Sequence, residues 1–219
     1  MSLIKDVHQD EDFVGVATDS TDTIFLRISH FPSANEEYIC TAGFLEASKG
    51  IVILIGRFIW TFGLPMKKDV QGNINKLTQV YTENIPAHSN LIQLLQTELP
   101  HGGMATESLL WLRRGLHFFC EFFELLWTDY ENSEVKEDLK EYIRKAYDVH
   151  LRRHHSWFVQ QTFRGLCRLA PKHHSLVKEL ALGKSNMEAV VYKSMEEYLS
   201  HLNNNLRVLE NFYKTHKLE

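Results

Sequence analysis

The stretch L-L-W-L-R-R-G-L-H-F-F-C-E-F-F-E-L-L-W, residues 109–127, decides the fold class of this chain. Its apolar residues recur at three- and four-residue spacing, which is the period of an α-helix. In the second half, apolar residues surround the helix almost completely, and a helix with that pattern is buried between other elements. The sequence therefore predicts a long central helix that either fills a thick core or lines an apolar cavity.

Helical periodicity continues on both sides of this stretch, and clusters of Gly, Pro, Asn and Ser separate the helical segments. The predicted segments are 44–62, 65–82, 87–99, 106–127, 135–169 and 188–216. We predict an all-α domain of six to eight helices, in which segment 135–169 is kinked or split because it exceeds the usual helix length. Residues 23–28, T-I-F-L-R-I, are instead strand-like.

Length and composition are those of one globular domain. The chain has 219 residues, of which 44% are hydrophobic, with only 5 Pro and 11 Gly. A chain of this length can bury a sizeable core. We place the domain at residues 31–219 and treat residues 1–30 as an N-terminal extension of uncertain order.

Charge and cysteine usage narrow the function classes. The formal net charge of −4 argues against a general grip on nucleic acid, which needs a strongly basic face. Three cysteines without a C-x-x-C pair indicate a reducing compartment. The first residues are acidic where a signal peptide needs an apolar core, so we predict a cytoplasmic protein.

The most apolar run is G-I-V-I-L-I-G-R-F-I-W-T-F-G-L-P, residues 50–65. It is shorter than the roughly 20 residues that a membrane-spanning helix requires, and Arg57 interrupts it. We predict that this run is a core helix.

The sequence contains no complete motif for phosphate binding, zinc binding or nucleophilic catalysis. The G-K-S at residues 183–185 lacks the first glycine of a phosphate-binding loop, because Lys178 stands there. His150 and His154 have the spacing of zinc ligands, but no third ligand is indicated. Cys120 and Cys167 lie in apolar surroundings that raise a thiol pKa. We predict a protein that is not an enzyme and that uses no metal or cofactor.

A polar stripe is predicted on one helix by Asp69, Asn73 and Lys76, since offsets of four and seven residues fall within roughly 60° of each other. Carboxylate, amide and ammonium together both accept and donate hydrogen bonds, as a polyol requires. Such a stripe on its own is usually a solvated face. Two aromatic groups elsewhere, Trp111 and His155, supply what sugar recognition still lacks, because an indole can cover the C–H face of a sugar ring.

Three segments resemble the signature segments of the glycolipid transfer protein family, in the same order and at similar separations. They are D-V-Q-G-N-I-N-K at 69–76, S-L-L-W-L-R-R-G-L at 108–116 and H-S-W-F-V at 155–159. The G-F-L-E-A at 43–47 resembles the start of the family's first core helix. The resemblance runs from about residue 31 to about residue 213. It implies a two-layer helical sandwich that encloses an apolar lipid pocket.

The resemblance also implies a role for each residue of the head-group site. Asp69, Asn73 and Lys76 match the positions that hydrogen-bond the first sugar and the ceramide amide. Trp111 matches the position whose indole stacks on the sugar, and His155 the position that hydrogen-bonds the amide carbonyl. Because Trp111 and Asn73 are both present, a sugar head group is favoured over the phosphate of ceramide-1-phosphate.

The membrane and lipid-chain contacts follow from the same resemblance. Trp157, with its neighbour Phe158, matches the region that touches the membrane. Leu116, Phe118 and Phe122, on the central helix, are the candidates for lining the apolar pocket. A ceramide with roughly 30 methylenes has on the order of 24 kcal/mol opposing its escape into water, so a carrier must offer it an apolar interior.

The sequence therefore predicts a carrier that extracts a glycosphingolipid from one membrane and delivers it to another without chemical change. Its expected partners are the glycosphingolipid and, transiently, a membrane surface; a protein partner is not indicated. Three alternatives stay open: a glycolipid sensor or adaptor whose occupancy controls a protein partner, a carrier of ceramide-1-phosphate, and a helical interaction protein with a filled core.

Overall fold

The computed structural model describes residues 21–58 and 64–219. Most of the predicted N-terminal extension, and the end of the predicted helix 44–62, therefore lie outside the described residues. The described elements are α1 (Ile24–Arg27), β1 (Ala34–Asn35), β2 (Tyr38–Ile39), α2 (Thr41–Phe58), α3 (Leu64–Glu83), α4 (Leu91–Glu98), α5 (Met104–Glu131), α6 (Lys140–His150), a 3₁₀ turn (Arg152–His154), α7 (Trp157–Cys167), α8 (His173–Leu180) and α9 (Glu188–Thr215).

Helix α5 begins where the end of α4 supplies its cap. The carboxylate of Glu98 accepts the backbone N–H of Ala105 at 3.0 Å and of Thr106 at 2.6 Å. These are among the N–H groups that a helix start leaves without partners, and a negative charge also suits the positive end of the helix dipole. A Cβ at Gly103 would overlap the same carboxyl group, so a larger residue there would displace the Glu98 side chain from its capping position.

Helix α5 lies at the centre of the domain, as its apolar pattern predicts. It packs against α3, α4, α6 and α9, and α2 packs in turn against α3 and α8. Side chains on nearly every side of it are buried, among them Leu109, Leu112, Phe119, Phe123 and Leu126. The all-α class is confirmed, since the paired strands β1 and β2 have only two residues each.

The strand-like prediction for residues 23–28 is wrong, because this segment forms helix α1. The hydroxyl of Thr23 pairs with that of Ser194 on α9 at 2.8 Å, which fixes the segment against α9. Phe25 is fully buried, and its ring packs against Tyr198 with centroids 5.4 Å apart. Its backbone forms hydrogen bonds locally, from the N–H of Leu26 to the oxygen of Thr23 and from that of Ile28 to the oxygen of Ile24, and no described strand pairs with it. Tertiary contacts have overridden the strand propensity of the β-branched residues.

The long segment 135–169 is split, as predicted, into α6, the 3₁₀ turn and α7. Gln160 holds the break together, because its side-chain amide donates to the backbone oxygens of Arg152 at 3.1 Å and His155 at 2.9 Å. Ser156 then caps α7 by accepting the N–H of Val159. Helix α8 was not predicted from the sequence, since eight residues between turns give too short a periodic pattern.

In the part of the chain that the structure describes, no helix is long and apolar enough to cross a membrane. The first part of this run, residues 50–58, lies in α2, where Ile51, Leu54 and Ile55 are buried in the core and Ile53 is exposed. The described part of the run therefore agrees with the prediction of a core helix, and residues 59–63 lie outside the described residues.

We predict that the segment before residue 31 contributes to the stability of the domain. Replacing the fully buried Phe25 by Ala should cost about 3–5 kcal/mol of unfolding free energy, as loss of a buried aromatic side chain does. Leu26, which is 53% exposed, is the matched control, and Leu26→Ala should change stability by only about 0.5 kcal/mol. Urea unfolding measures both free energies. If Phe25→Ala costs as little as the control, α1 is not part of the cooperative unit.

Candidate functional site

The predicted polar stripe lies on helix α3. Asp69 and Lys76 are exposed, whereas Asn73 is buried, with 6% of its surface exposed. The side-chain amide of Asn73 donates to the backbone oxygen of Asp69 at 3.0 Å, so it is turned toward its own helix. The three residues share one face, as predicted, but in this structure the amide of Asn73 would have to turn to reach a ligand.

A cavity of about 280 Å³ opens beside Asp69, between α3, α5 and α7. It brings Asp69, Trp111 and His155 together, although they are far apart in the chain. Asn73 and Lys76 do not line it. The remaining lining is mostly apolar: Pro65, Met66, Val70, Gly115, Leu151, Val159, Thr162, Phe163 and Leu166. The cavity thus has a polar side next to an apolar side.

The carboxylate of Asp69 is held in a partly desolvated position. Burial raises its pKa, and the charges of His155 and Lys76 partly oppose that shift. Among the described residues, none donates a hydrogen bond to this carboxylate. An ionised carboxylate without hydrogen-bond donors is unfavourable at a desolvated position. Asp69 therefore offers two acceptor oxygens to any ligand that supplies N–H or O–H groups.

The imidazole of His155 is positioned from behind by Tyr147 on α6. The hydroxyl of Tyr147 lies 3.0 Å from Nδ1 of His155. Burial lowers the pKa of His155, while the charge of Asp69 raises it, and the balance favours the neutral ring. Neutral imidazole offers one donor and one acceptor, so Nε2 remains available on the cavity side.

The indole of Trp111 is half-buried at the cavity and is covered on one face. The guanidinium carbon of Arg114 lies 4.7 Å from the ring centroid, which is a cation–π geometry. The ring of His154 contacts it edge-on at 6.2 Å. A ligand ring can therefore stack only on the opposite face. The i, i+3 spacing of Trp111 and Arg114 signals this contact, whereas nothing in the sequence signals the contact between Tyr147 and His155.

The three predicted pocket residues lie in the core rather than at the cavity. Leu116, Phe118 and Phe122 are 0%, 2% and 7% exposed, respectively. Phe118 nevertheless lies next to the cavity wall, because its ring packs edge-on against Phe163 with centroids 6.3 Å apart. At Gly115 the helices approach closely, since an added Cβ would lie 3.4 Å from Val70 on α3.

The predicted membrane-contact residues lie at the start of α7, beside the cavity. Trp157 and Phe158 are 72% and 73% exposed. Val159, which follows them, lines the cavity and is also exposed. Arg152 and Arg153 are exposed in the turn just before. Large exposed apolar side chains in one cluster mark an interaction surface.

Titratable side chains give no sign of a metal site. Within residues 21–58 and 64–219, no group of three or more His, Cys, Asp or Glu side chains is arranged to hold a metal ion. Burial raises the pKa of the Cys167 thiol to about 11 and also raises that of Cys120. Thiols of this kind are poor nucleophiles at neutral pH.

The family model described as glycolipid transfer protein (GLTP) matches residues 39–182. The chain belongs to the glycolipid transfer protein family. The matched range contains Asp69, Trp111 and His155, the residues that line the cavity, and the resemblance inferred from the sequence is confirmed.

Two relatives match most of this chain. Pleckstrin homology domain-containing family A member 8 of Mus musculus is 30% identical over 191 residues, which is 83% of this chain and 36% of the mouse protein. The chain thus spans about a third of the length of that relative. Glycolipid transfer protein of Xenopus tropicalis is 27% identical over 183 residues, which is 81% of this chain and 88% of the frog protein.

Solved structures share the fold. One solved structure shows how FAPP2 selects simple glycosphingolipids using the GLTP fold. Its sequence is 28% identical to this chain, and its TM-score is 0.78 over 90% of this chain and 98% of the FAPP2 chain. Mouse ceramide-1-phosphate transfer protein in its apo form has a TM-score of 0.74 at 18% identity, over 89% and 94% of the two chains. At that identity the likeness concerns the fold alone.

We predict that Asp69 lowers the stability of the unliganded protein at neutral pH. Its folded-state pKa is raised above its unfolded value, so ionisation favours the unfolded state as pH rises past the unfolded pKa. Asp69→Asn should therefore raise the unfolding free energy at neutral pH, by no more than about 1 kcal/mol because the side chain is exposed. The gain should disappear at a pH below the unfolded pKa.

Urea unfolding at neutral and acidic pH measures this difference. Glu83 is the matched control, because it is an exposed carboxylate on the same helix outside the cavity. Glu83→Gln should leave the unfolding free energy within about 0.5 kcal/mol of the wild type. A loss of stability in Asp69→Asn at neutral pH would contradict the prediction.

Proposed function

We propose that this chain is a lipid carrier that extracts a glycosphingolipid from one membrane and delivers it to another without chemical change. One observation carries the proposal: a cavity in a member of the glycolipid transfer protein family is bordered by Asp69, Trp111 and His155. These residues come from the three segments that match the family signature. The process needs no covalent step, so the site requires no nucleophile or cofactor.

Each side chain of the site supports one part of head-group binding. The carboxylate of Asp69 accepts hydrogen bonds from sugar hydroxyls or from the ceramide amide, and the neutral imidazole of His155 donates to the amide carbonyl. The uncovered face of Trp111 packs on the C–H face of the sugar. Lys76 and Asn73 complete the site when the amide of Asn73 turns away from its own helix.

The lipid chains need more space than the cavity provides. Its volume of about 280 Å³ is at the lower end of the ligand-pocket range, roughly 300–1,000 Å³, and suits the head-group region rather than a whole ceramide. The chains enter past Phe163 toward Phe118 and Leu116, as the helices around them separate. The pocket residues predicted from the sequence are then reached only in the lipid-bound state.

A sugar head group is favoured over a phosphate at this site. The buried guanidinium of Arg113 could attract a phosphate, but it already pairs with Glu219 at 2.5 Å and lies 5.0 Å from the ring centroid of Tyr213. The ring at the cavity is the indole of Trp111, which provides stacking and not positive charge. Ceramide-1-phosphate therefore remains the second candidate ligand.

We predict that transfer of galactosylceramide between vesicles depends on the cavity residues. Asp69→Val and Trp111→Ala should each slow transfer by about 10- to 100-fold. The first removes hydrogen bonds to a charged group, worth roughly 1.5–3 kcal/mol, and the second removes the ring that covers the sugar. The matched controls are Glu83→Val and Tyr38→Ala, a carboxylate and an aromatic ring that are exposed outside the cavity. Circular dichroism checks that all variants keep their helices.

The same assay separates the alternatives. Faster transfer of ceramide-1-phosphate than of galactosylceramide by the wild type would assign the site to the phosphate. Tight glycolipid binding with slow transfer would favour a sensor that acts through a protein partner. No binding of either lipid by the folded protein would overturn the carrier proposal.

We predict that Trp157 and Phe158 affect the membrane step and not head-group recognition. Trp157→Ala with Phe158→Ala should slow vesicle transfer severalfold, while binding of a short-chain, water-soluble glycolipid stays unchanged. Burial of these rings in the bilayer interface provides the attraction that the variants lose. Ile53→Ala, at an exposed apolar residue on α2, is the control and should transfer normally. If the variant lost short-chain glycolipid binding as strongly as vesicle transfer, these two residues would not act on the membrane step alone.

A further inference from the structure

A second concavity lies between helices α6 and α7, next to the candidate cavity. This groove has a volume of about 540 Å³. The rings of Tyr147 from α6 and Phe163 from α7 stack with centroids 3.6 Å apart and planes 12° apart, and both border the groove. Phe163 also borders the head-group cavity. The groove therefore has a rigid aromatic element shared with the site already described.

The rim of the groove is basic, although the chain as a whole is acidic. Three acidic side chains, Asp138, Glu141 and Asp148, also line it. Each of them is within 3.4 Å of a basic partner: Lys140, Lys136 and Arg152, respectively. The basic side chains of the rim are Lys136, Lys140, Arg144, Arg152, Arg164 and Arg168.

Three guanidinium groups are left over. Arg144 on α6, Arg164 on α7 and Arg168 just after α7 form no ion pair or hydrogen bond with any described side chain, and all three are exposed. They come from the two sides of the groove. Guanidinium groups bind phosphate oxygens in a bidentate manner, so the chemistry of these three side chains suits phosphate.

Two of the arginines in the groove lie on the same side of α7 as the exposed Trp157, which is the predicted membrane-contact residue. Arg164 and Arg168 follow Trp157 by seven and eleven residues, so they share its side of α7, about 10 and 16 Å along the axis. If Trp157 and Phe158 enter the interface, this side of α7 faces the lipid head groups. A volume of about 540 Å³ is far more than one phosphate needs and suits a phosphorylated polyol.

We infer that the groove between α6 and α7 binds the head group of a phosphoinositide in the membrane on which the protein docks. Arg144, Arg164 and Arg168 contact the phosphates, and the stacked rings of Tyr147 and Phe163 form the floor. The inference uses the membrane docking of the proposed function. The head-group cavity itself takes no part in it.

The test measures binding of the whole chain to two kinds of phosphatidylcholine vesicles. One contains phosphatidylinositol bisphosphate, and the other contains enough phosphatidylserine to give the same surface charge. The variant replaces Arg144, Arg164 and Arg168 by Ala. The control replaces Lys49, Lys193 and Arg207 by Ala, which are equally exposed and cationic but lie on α2 and α9 outside the groove.

We expect the wild type to prefer the phosphoinositide vesicles. The groove variant should lose about fivefold in affinity per guanidinium and about 100-fold in total, which corresponds to about 1 kcal/mol per basic residue near an anionic membrane. The control should keep the preference. Thermal unfolding confirms that both triple variants are folded, and short-chain glycolipid binding, which the groove variant should keep, separates a failure here from a failure of the proposed function.

Other results would overturn the inference. Equal binding of the wild type to both kinds of vesicles would reduce the groove to a surface of general positive charge. An equal loss in the control variant would lead to the same conclusion. Soluble inositol trisphosphate that binds the wild type as tightly as the vesicles do would assign the groove to a free metabolite and not to a membrane lipid.

Discussion

Helix α5 carries apolar side chains on nearly every side, and the need to bury them determines where the rest of the domain lies. Helices α3, α6 and α9 each cover one part of it. Covering α5 in this way brings Asp69 from α3, and His155 from the turn after α6, to Trp111 on α5 itself. Gly115 allows the close approach of α3, since its missing side chain would touch Val70. The position of the candidate head-group cavity is thus a consequence of burying one helix.

The stacked rings of Tyr147 and Phe163 connect two surfaces with different chemistry. Phe163 borders both the cavity and the basic groove, and the hydroxyl of Tyr147 holds the imidazole of His155. A lipid chain that displaces Phe163 would therefore disturb the stack, the floor of the groove and the support of His155 together.

The spacing of apolar and polar residues along the chain predicted the helices and the faces on which their side chains lie. Helical period alone placed α5 at the centre and Asp69 on one face with Asn73, and the family resemblance added Trp111 and His155. Helix α1 could not be predicted, because its conformation depends on α9, which is distant in sequence. The rotamer of Asn73 and the contact between Tyr147 and His155 depend on the folded backbone around them. Residue identity therefore indicated Asp69, Trp111 and His155 as candidates, and the structure shows that they line one cavity and how they are held.

The small size of the cavity follows from the stability of a domain of this length. An empty apolar space costs about 24 cal/mol for each Å³, so a preformed ceramide pocket of roughly 500 Å³ would cost about 12 kcal/mol. That cost is as large as the entire stability of a typical domain, roughly 5–15 kcal/mol. The unliganded chain must therefore keep Leu116, Phe118 and Phe122 packed together. In the proposed carrier the lipid chains come from a bilayer, and exposing them to water on the way would cost on the order of 24 kcal/mol, so they open this core only as they fill it. Under the proposed function, Asp69, Trp111 and His155 are already placed for head-group binding in the unliganded chain, whereas the ligand has to create the space for its chains.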